Sequence, residues 1–212
     1  MSTLRTRLKR FVLRKQNRPI VVFGALGIVS ILVAVYSSAM SHTIDHAAYK
    51  SLLSVIAKGE STGNYNAYFG SPTNTSVRLT DMTISEVLDW QKDYVAAGNA
   101  SNAAGRYQII QPTLEGLVRE LKLAPSERFD EQLQDKLAIT LMERRGSKEF
   151  IDKRINAEQF AASLAKEWAA LPNVTGDRPT ESFYAGDGLN ESRVSVEAIL
   201  DAVGQFKAEA TK

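Results

Sequence analysis

The sequence predicts a helix-dominated α+β domain with a small β-lobe near its start, preceded by one N-terminal transmembrane helix. Three observations carry this expectation. Apolar residues recur at helical spacing in successive segments after residue 46. Residues 61–82 are instead rich in Gly, Asn, Ser, Thr and Tyr, with short extended stretches at Tyr68-Phe69 and around residues 77–79. Residues 19–41 contain no charged side chain, and residues 20–36 are almost continuously apolar. That approaches the ~20 residues a helix needs to cross a bilayer core. The 212-residue chain therefore divides into a basic tail (1–18), a membrane signal-anchor (19–41) and a domain spanning 42–212.

Within that domain, residues 47–58 place Leu52, Leu53, Val55 and Ile56 on a helix. Thr83-Ile84-Ser85-Glu86 has the form of a capping box and opens a helix to about Val95. Residues 98–105 form a polar connector. Pro112 suits a first helical turn, followed by Leu114, Leu117, Val118 and Leu121. Another helix runs from about Asp130 through Leu133, Leu137 and Leu141 to near Gly146. Asn156 and Gln159 frame the start of a helix expected to end before Pro172. A last amphipathic helix covers roughly residues 192–208.

Charge is unevenly distributed. The formal net charge is +2, yet residues 1–18 hold seven basic side chains and no acidic one. The other 194 residues carry 19 basic and 24 acidic side chains, a formal −5. An acidic body argues against a polyanion-binding groove, so no nucleic-acid partner is expected. Positive flanking charge stays in the cytoplasm, which sets the N-terminus inside and residues 42–212 outside the inner (cytoplasmic) membrane as a single-pass, extracytoplasmic domain. The alternative is a cleaved signal peptide with Ser37-Ser38-Ala39 as the processing site. The apolar region, however, exceeds the ~7–15 residues usual for such peptides. The absence of cysteine excludes disulfide scaffolds, thiol nucleophiles, iron–sulfur clusters and Cys-ligated zinc.

Several candidate sites compete. Gly59-Glu60-Ser61-Thr62-Gly63 matches the nucleophile-elbow pattern, but that machine needs a preceding strand and a downstream His. A helix precedes this Ser, and His42 and His46, the two histidines of the chain, both lie upstream. His42 and His46 are four residues apart beside Asp45, a spacing that permits a shared metal. Polar residues just past a membrane span are the plainer account, so no metal and no cofactor is expected. Glu60 differs. It lies at the C-terminal end of an apolar helix beside an aromatic, Asn-rich segment, and both settings raise a carboxyl pKa. A carboxylic acid that keeps its proton near neutrality is what protonation of a glycosidic oxygen requires. Gly105-Arg106-Tyr107-Gln108 offers a tight turn, a flat aromatic face and an amide fork, all suited to a sugar. Trp168-Ala169-Ala170-Leu171-Pro172 and the aromatic–glycine loop at 183–188 form a third group.

These segments, in this order, resemble the lysozyme-like peptidoglycan glycosidases, above all the lambda-type lytic transglycosylases (endolysins) among the phage muramidases. The resemblance covers about residues 47–205. It implies a lysozyme-like fold, Glu60 as the catalytic residue, and Ser61, Tyr65, Arg106, Tyr107, Gln108 and Tyr184 as substrate-binding residues. The loop after Pro172 is longer than in lambda-type members. Phage lysozymes that hydrolyse with a Glu–Asp–Thr set carry the Asp nine residues after the Glu, and here Phe69 stands there. With one carboxylate, the substrate must supply the nucleophile. The resemblance then implies a lytic transglycosylase cutting the MurNAc–GlcNAc β-1,4 bond, with peptidoglycan glycan strands as partner; the apolar span at 19–41 separately adds the inner membrane. Two alternatives stay open: a hydrolytic lysozyme using Asp81, Glu181 or Asp187 as second acid, and a non-catalytic, membrane-tethered glycan-binding or assembly module.

Overall fold

The computed structural model describes residues 43–212. The expected membrane span lies outside the described residues, as does His42. Among the described residues no helix is long and apolar enough to cross a membrane.

Seven α-helices make up the domain. A 3-10 turn at His46–Tyr49, capped by the Asp45 carboxylate on the Ala47 N–H, runs directly into α1, Lys50–Ser61. The helix therefore continues past Lys58 and carries Glu60 and Ser61 in its last turn. Thr62 ends it in the left-handed conformation (φ 56°). Helix α2, Ile84–Ala96, opens on the expected capping box between Thr83 and Glu86. Helix α3, Gln111–Leu121, has Pro112 in its first turn, where the missing N–H costs no hydrogen bond. Helix α4, Glu131–Arg144, is capped by Asp130 on the Leu133 N–H at 2.8 Å. Its residues 137–142 are all buried, so it is the central helix of the core rather than an amphipathic one. A short helix α5, Ser147–Ile151, follows Gly146 and has no counterpart in the sequence expectations. Helix α6, Ala157–Ala165, starts on the capping box of Asn156 and Gln159. Helix α7, Val196–Ala210, is capped by Ser195.

Helix α1 packs against α7 and α4, and α7 also packs on α6. An aromatic group closes this side. Tyr49 lies 4.7 Å from Phe206 between ring centroids, and Phe150 stacks on Phe160 at 5.2 Å. The Ser51 hydroxyl donates to the Ala202 carbonyl at 2.9 Å and fixes the α1–α7 register.

Two expectations are corrected. The β-lobe contains no strand among the described residues. It is a folded loop with isolated bridges, such as Tyr68 to Ala104 and Ala104 to Ile109. Its side chains offer the backbone other partners. Asn74, 6% exposed, donates to the Asn66 and Val77 carbonyls and accepts from the Ser76 and Val77 N–H groups. Asn66 accepts from the Thr80 N–H, and the stretch at 77–79, expected to be extended, leads into a 3-10 turn at Leu79–Asp81. Short Asn side chains thus replace the ladder. The second concerns extent: the helix expected to end before Pro172 is shorter than that boundary allows. It stops at Ala165, and Trp168 lies in a turn beyond it.

Gly59 has a steric role. A Cβ there would lie 2.8 Å from Val194 Cγ2 and 2.9 Å from the Ala170 Cβ. Gly59→Ala would gain about 1 kcal/mol of helix propensity but overpack against two stiff neighbours, at about 1–3 kcal/mol. We expect net destabilisation and a melting temperature several degrees lower. An unchanged or higher melting temperature would show that α1 does not need this close approach.

Candidate functional site

Three sequence segments converge through three hydrogen bonds. The Ala170 N–H donates to Glu60 Oε1 at 2.9 Å, joining the end of α1 to the turn after α6. The Ser61 hydroxyl donates to the Arg106 carbonyl at 2.7 Å, joining α1 to the Gly105 turn. The Trp168 indole N–H donates to the Tyr107 carbonyl at 3.2 Å and closes the triangle. The Glu60, Gly105 and Trp168 segments are thus pairwise linked, although up to 110 residues separate the partners.

Glu60 is half-buried at the centre of this arrangement. Burial penalises its charged form and raises its pKa above the ordinary carboxylate value. The Ala170 N–H and the positive charge of Arg193 pull in the opposite direction without cancelling the rise. Arg193 itself is held nearby. Its backbone N–H donates to the Ala170 carbonyl at 2.9 Å, and its guanidinium lies 3.5 Å from the Gly59 carbonyl.

The Gly105 turn is fixed from behind by α4. Gly105 has φ +78°, and a Cβ there would sit 2.4 Å from Gln134 Oε1, so both conformation and space demand glycine. Gln134 is buried and fully used. It accepts from the Arg106 N–H at 2.8 Å and donates to the Tyr65 and Phe129 carbonyls at 3.1 and 3.0 Å. Next to it, Asp135 accepts from the Tyr107 hydroxyl at 2.5 Å and the Tyr65 hydroxyl at 3.0 Å. Arg106 donates to Tyr65 Oη at 2.6 Å and lies over the Tyr65 ring at 4.7 Å. Burial, then the hydrogen bonds and charge of Asp135, push both phenol pKa values up, so both keep their protons.

The expected substrate-binding residues now separate into three groups. Tyr65, Arg106 and Gln108 are half-buried and line the turn region; Gln108 has φ +46° and donates to the Gly105 carbonyl. Tyr107 is only 1% exposed. It offers no flat face to a ligand and supports the turn from within. Ser61 is also buried and acts as a clasp between segments. Tyr184 is exposed, with its hydroxyl on the Lys166 carbonyl at 2.7 Å. Gln134, Asp135 and the Ala170 N–H escaped the sequence reading, since the contacts that define them span 28–110 residues.

The expected second carboxylates have other work. Asp81 pairs with Arg78 at 3.6 Å, and Glu181 pairs with Arg178 at 3.0 Å. Asp187 is exposed and accepts from Leu189 and Asn190; those hydrogen bonds hold its carboxyl below the ordinary value. An acid that favours its proton is therefore the reverse of its situation.

A half-buried carboxyl with a raised pKa, beside a turn of polar and aromatic side chains, is an arrangement that can supply general acid/base chemistry. The family model described as Endolysin matches residues 50–185, and the chain belongs to the endolysin family. It is a peptidoglycan-lysing enzyme, a glycosidase, as expected, and the alternative of a non-catalytic module is set aside. The resemblance drawn from the motifs is borne out at this level. A solved structure of bacteriophage lambda lysozyme complexed with a chitohexasaccharide is similar at a TM-score of 0.49 and 21% identity, over 77% of this chain and 96% of that one. No curated protein matches the chain.

Gln134→Ala tests the support. It would leave the Arg106 N–H and the Tyr65 and Phe129 carbonyls unpaired in a buried place, at roughly 2–4 kcal/mol. Urea unfolding should show that loss, and a change below about 0.5 kcal/mol would mean the turn is held by other contacts.

Proposed function

We propose that Glu60 is the acid/base of a lytic transglycosylase cutting the MurNAc–GlcNAc bond of peptidoglycan strands. The observation that carries this is a lone, half-buried Glu60 carboxyl of raised pKa, while Asp81, Glu181 and Asp187 are each engaged elsewhere. The Ala170 N–H occupies Oε1, so the proton resides on Oε2. In the first half-reaction Oε2 gives its proton to the glycosidic oxygen as the C1–O bond breaks. In the second, the resulting carboxylate takes the proton of the muramic 6-hydroxyl as that oxygen bonds to C1. The products are a 1,6-anhydro end and a free 4-hydroxyl, with no water consumed. Intramolecular attack of this kind removes up to ~7–11 kcal/mol of barrier when the geometry is good. Tyr65, Arg106 and Gln108 are the side chains available to orient the sugar, with Tyr184 at the far loop. A hydrolytic lysozyme is the second reading and needs a carboxylate that these contacts do not free.

Glu60→Gln keeps an acceptor for Ala170 but carries no proton to give. Wall-clearing activity should fall by about 10²–10⁴-fold, and wild-type muropeptides should end in anhydro groups, lighter by one water than reducing ends. Equal clearing by the Gln variant would remove Glu60 from the mechanism; reducing ends alone would establish the hydrolase. Wild-type activity should decline as pH rises through the elevated Glu60 pKa, because the acid form is lost. Stability follows the same sign. Between the ordinary value of 4.5 and the raised folded value, the native state binds more protons than the unfolded one, so stability falls as pH rises. The Gln variant should lack that decline and melt higher than wild type at neutral pH.

We also propose that residues 19–41 hold the enzyme in the inner membrane with its N-terminus cytoplasmic and the catalytic domain on the peptidoglycan side. The seven cations before residue 19 and the uncharged span after them support this orientation. The full chain should stay with membranes through alkaline extraction and be digested by external protease in spheroplasts. Release by alkali, or full protease protection, would rule the topology out.

A further inference from the structure

Outside the Glu60 region, α2 and the loop before it carry an aromatic cluster with no assigned role. Trp90 and Tyr94, one turn apart on α2, stack with centroids 4.9 Å apart and planes at 18°. Tyr68 meets both edge-on, at 5.3 and 5.4 Å. The Tyr94 hydroxyl donates to the Phe69 carbonyl at 2.9 Å, and Val95 beside it is 43% exposed. All three rings are only half-buried. Neither the Trp90 indole N–H nor the Tyr68 hydroxyl hydrogen-bonds to another described residue, and neither is among the sealed, unpartnered polar atoms. An apolar face with a free donor at its edge is the chemistry that binds a pyranose.

The cluster is tied to the Gly105 turn beside Glu60. Tyr68 forms a bridge with Ala104, the Phe69 N–H donates to the Ala103 carbonyl at 2.9 Å, and the Gly105 N–H donates to the Ala67 carbonyl at 2.8 Å. From α2, the buried Gln91 donates to both the Asn102 and Ile109 carbonyls at 2.8 Å, gripping both sides of the turn. The cluster is therefore held in fixed register with the Gly105 turn. The exposed charges around it, Asp89, Lys92 and Asp93, are mixed in sign, which does not suit an anionic lipid surface.

We propose that Tyr68, Trp90 and Tyr94 form an accessory platform for sugar rings of the same glycan strand, beyond those at Glu60. This rests on the reading of Glu60 and the Gly105 turn as the strand-cutting site. The test uses the full chain in detergent, made inactive by Glu60→Gln. Solubilised, uncrosslinked glycan strands should shift Trp90 emission saturably, Trp90→Phe should abolish the shift, and Tyr68→Ala should weaken strand binding by about fivefold. In the active chain, Tyr68→Ala should lower the ratio of cutting rates on whole strands to those on a tetrasaccharide. A silent Trp90, or a rate ratio unchanged by Tyr68→Ala, would overturn the platform. Binding is read without turnover, so this outcome is separate from whether wild-type products carry anhydro ends.

Discussion

The arrangement around Glu60 depends on one backbone N–H, that of Ala170, and on the glycine that lets it approach. Helix α1 could end anywhere on the domain surface. It ends against residues 170 and 194 because Gly59 has no Cβ to keep them away. That approach brings the Ala170 N–H to 2.9 Å from the carboxylate and surrounds it with enough protein to disfavour its charge. Ser61 to Arg106 and Trp168 to Tyr107 then lock the other two corners. Each of these bonds would be worth about 1 kcal/mol taken singly. Their joint effect is positional, since three loops that could wander separately are held as one unit.

Helix α4 explains why the polar turn survives in a buried place. Backbone groups of an irregular loop cannot be buried without partners. Gln134 answers three of them with one side chain, and Asp135 gathers two phenols on one carboxylate. The carboxylate is balanced by Arg106, which reaches it through Tyr65. The loop of residues 62–82 uses Asn64, Asn66 and Asn74 in the same manner. This domain therefore builds its binding side from side-chain hydrogen bonds where a small sheet was expected.

This division also marks what the sequence made legible. Helices with strong local signals were readable: Thr83 with Glu86, Asn156 with Gln159 and Asp130 with Leu133 act across three residues, and Pro112 through its own backbone. Glu60 was readable because its position at a helix end is local information. The β-lobe was misread because a run of Gly, Asn, Ser and Thr signals departure from helix and says little about what replaces it. Tyr107 was misread as a sugar-facing ring because its neighbours along the chain are polar. Its burial is set by Asp135, 28 residues away, and by Trp168, 61 residues away. Side chains whose roles rest on distant partners were invisible to periodicity and capping rules alike.

The contest over the Glu60 proton shows what such a contact does. An acid catalyst would hold its proton most firmly with no donor nearby, and the Ala170 N–H lowers the pKa that burial raises. Yet a carboxyl free on both oxygens can place its proton on either, and half of its orientations then face away from the substrate. Binding Oε1 removes that symmetry at the expense of part of the shift. Burial still exceeds the combined pull of Ala170 and Arg193, so the group remains an acid and gains a direction. In the proposed cycle the same N–H would stay in place after the proton has left and stabilise the carboxylate that must accept the next one. One fixed donor therefore suits both halves of an acid-then-base cycle, a need that a residue acting only once would not have.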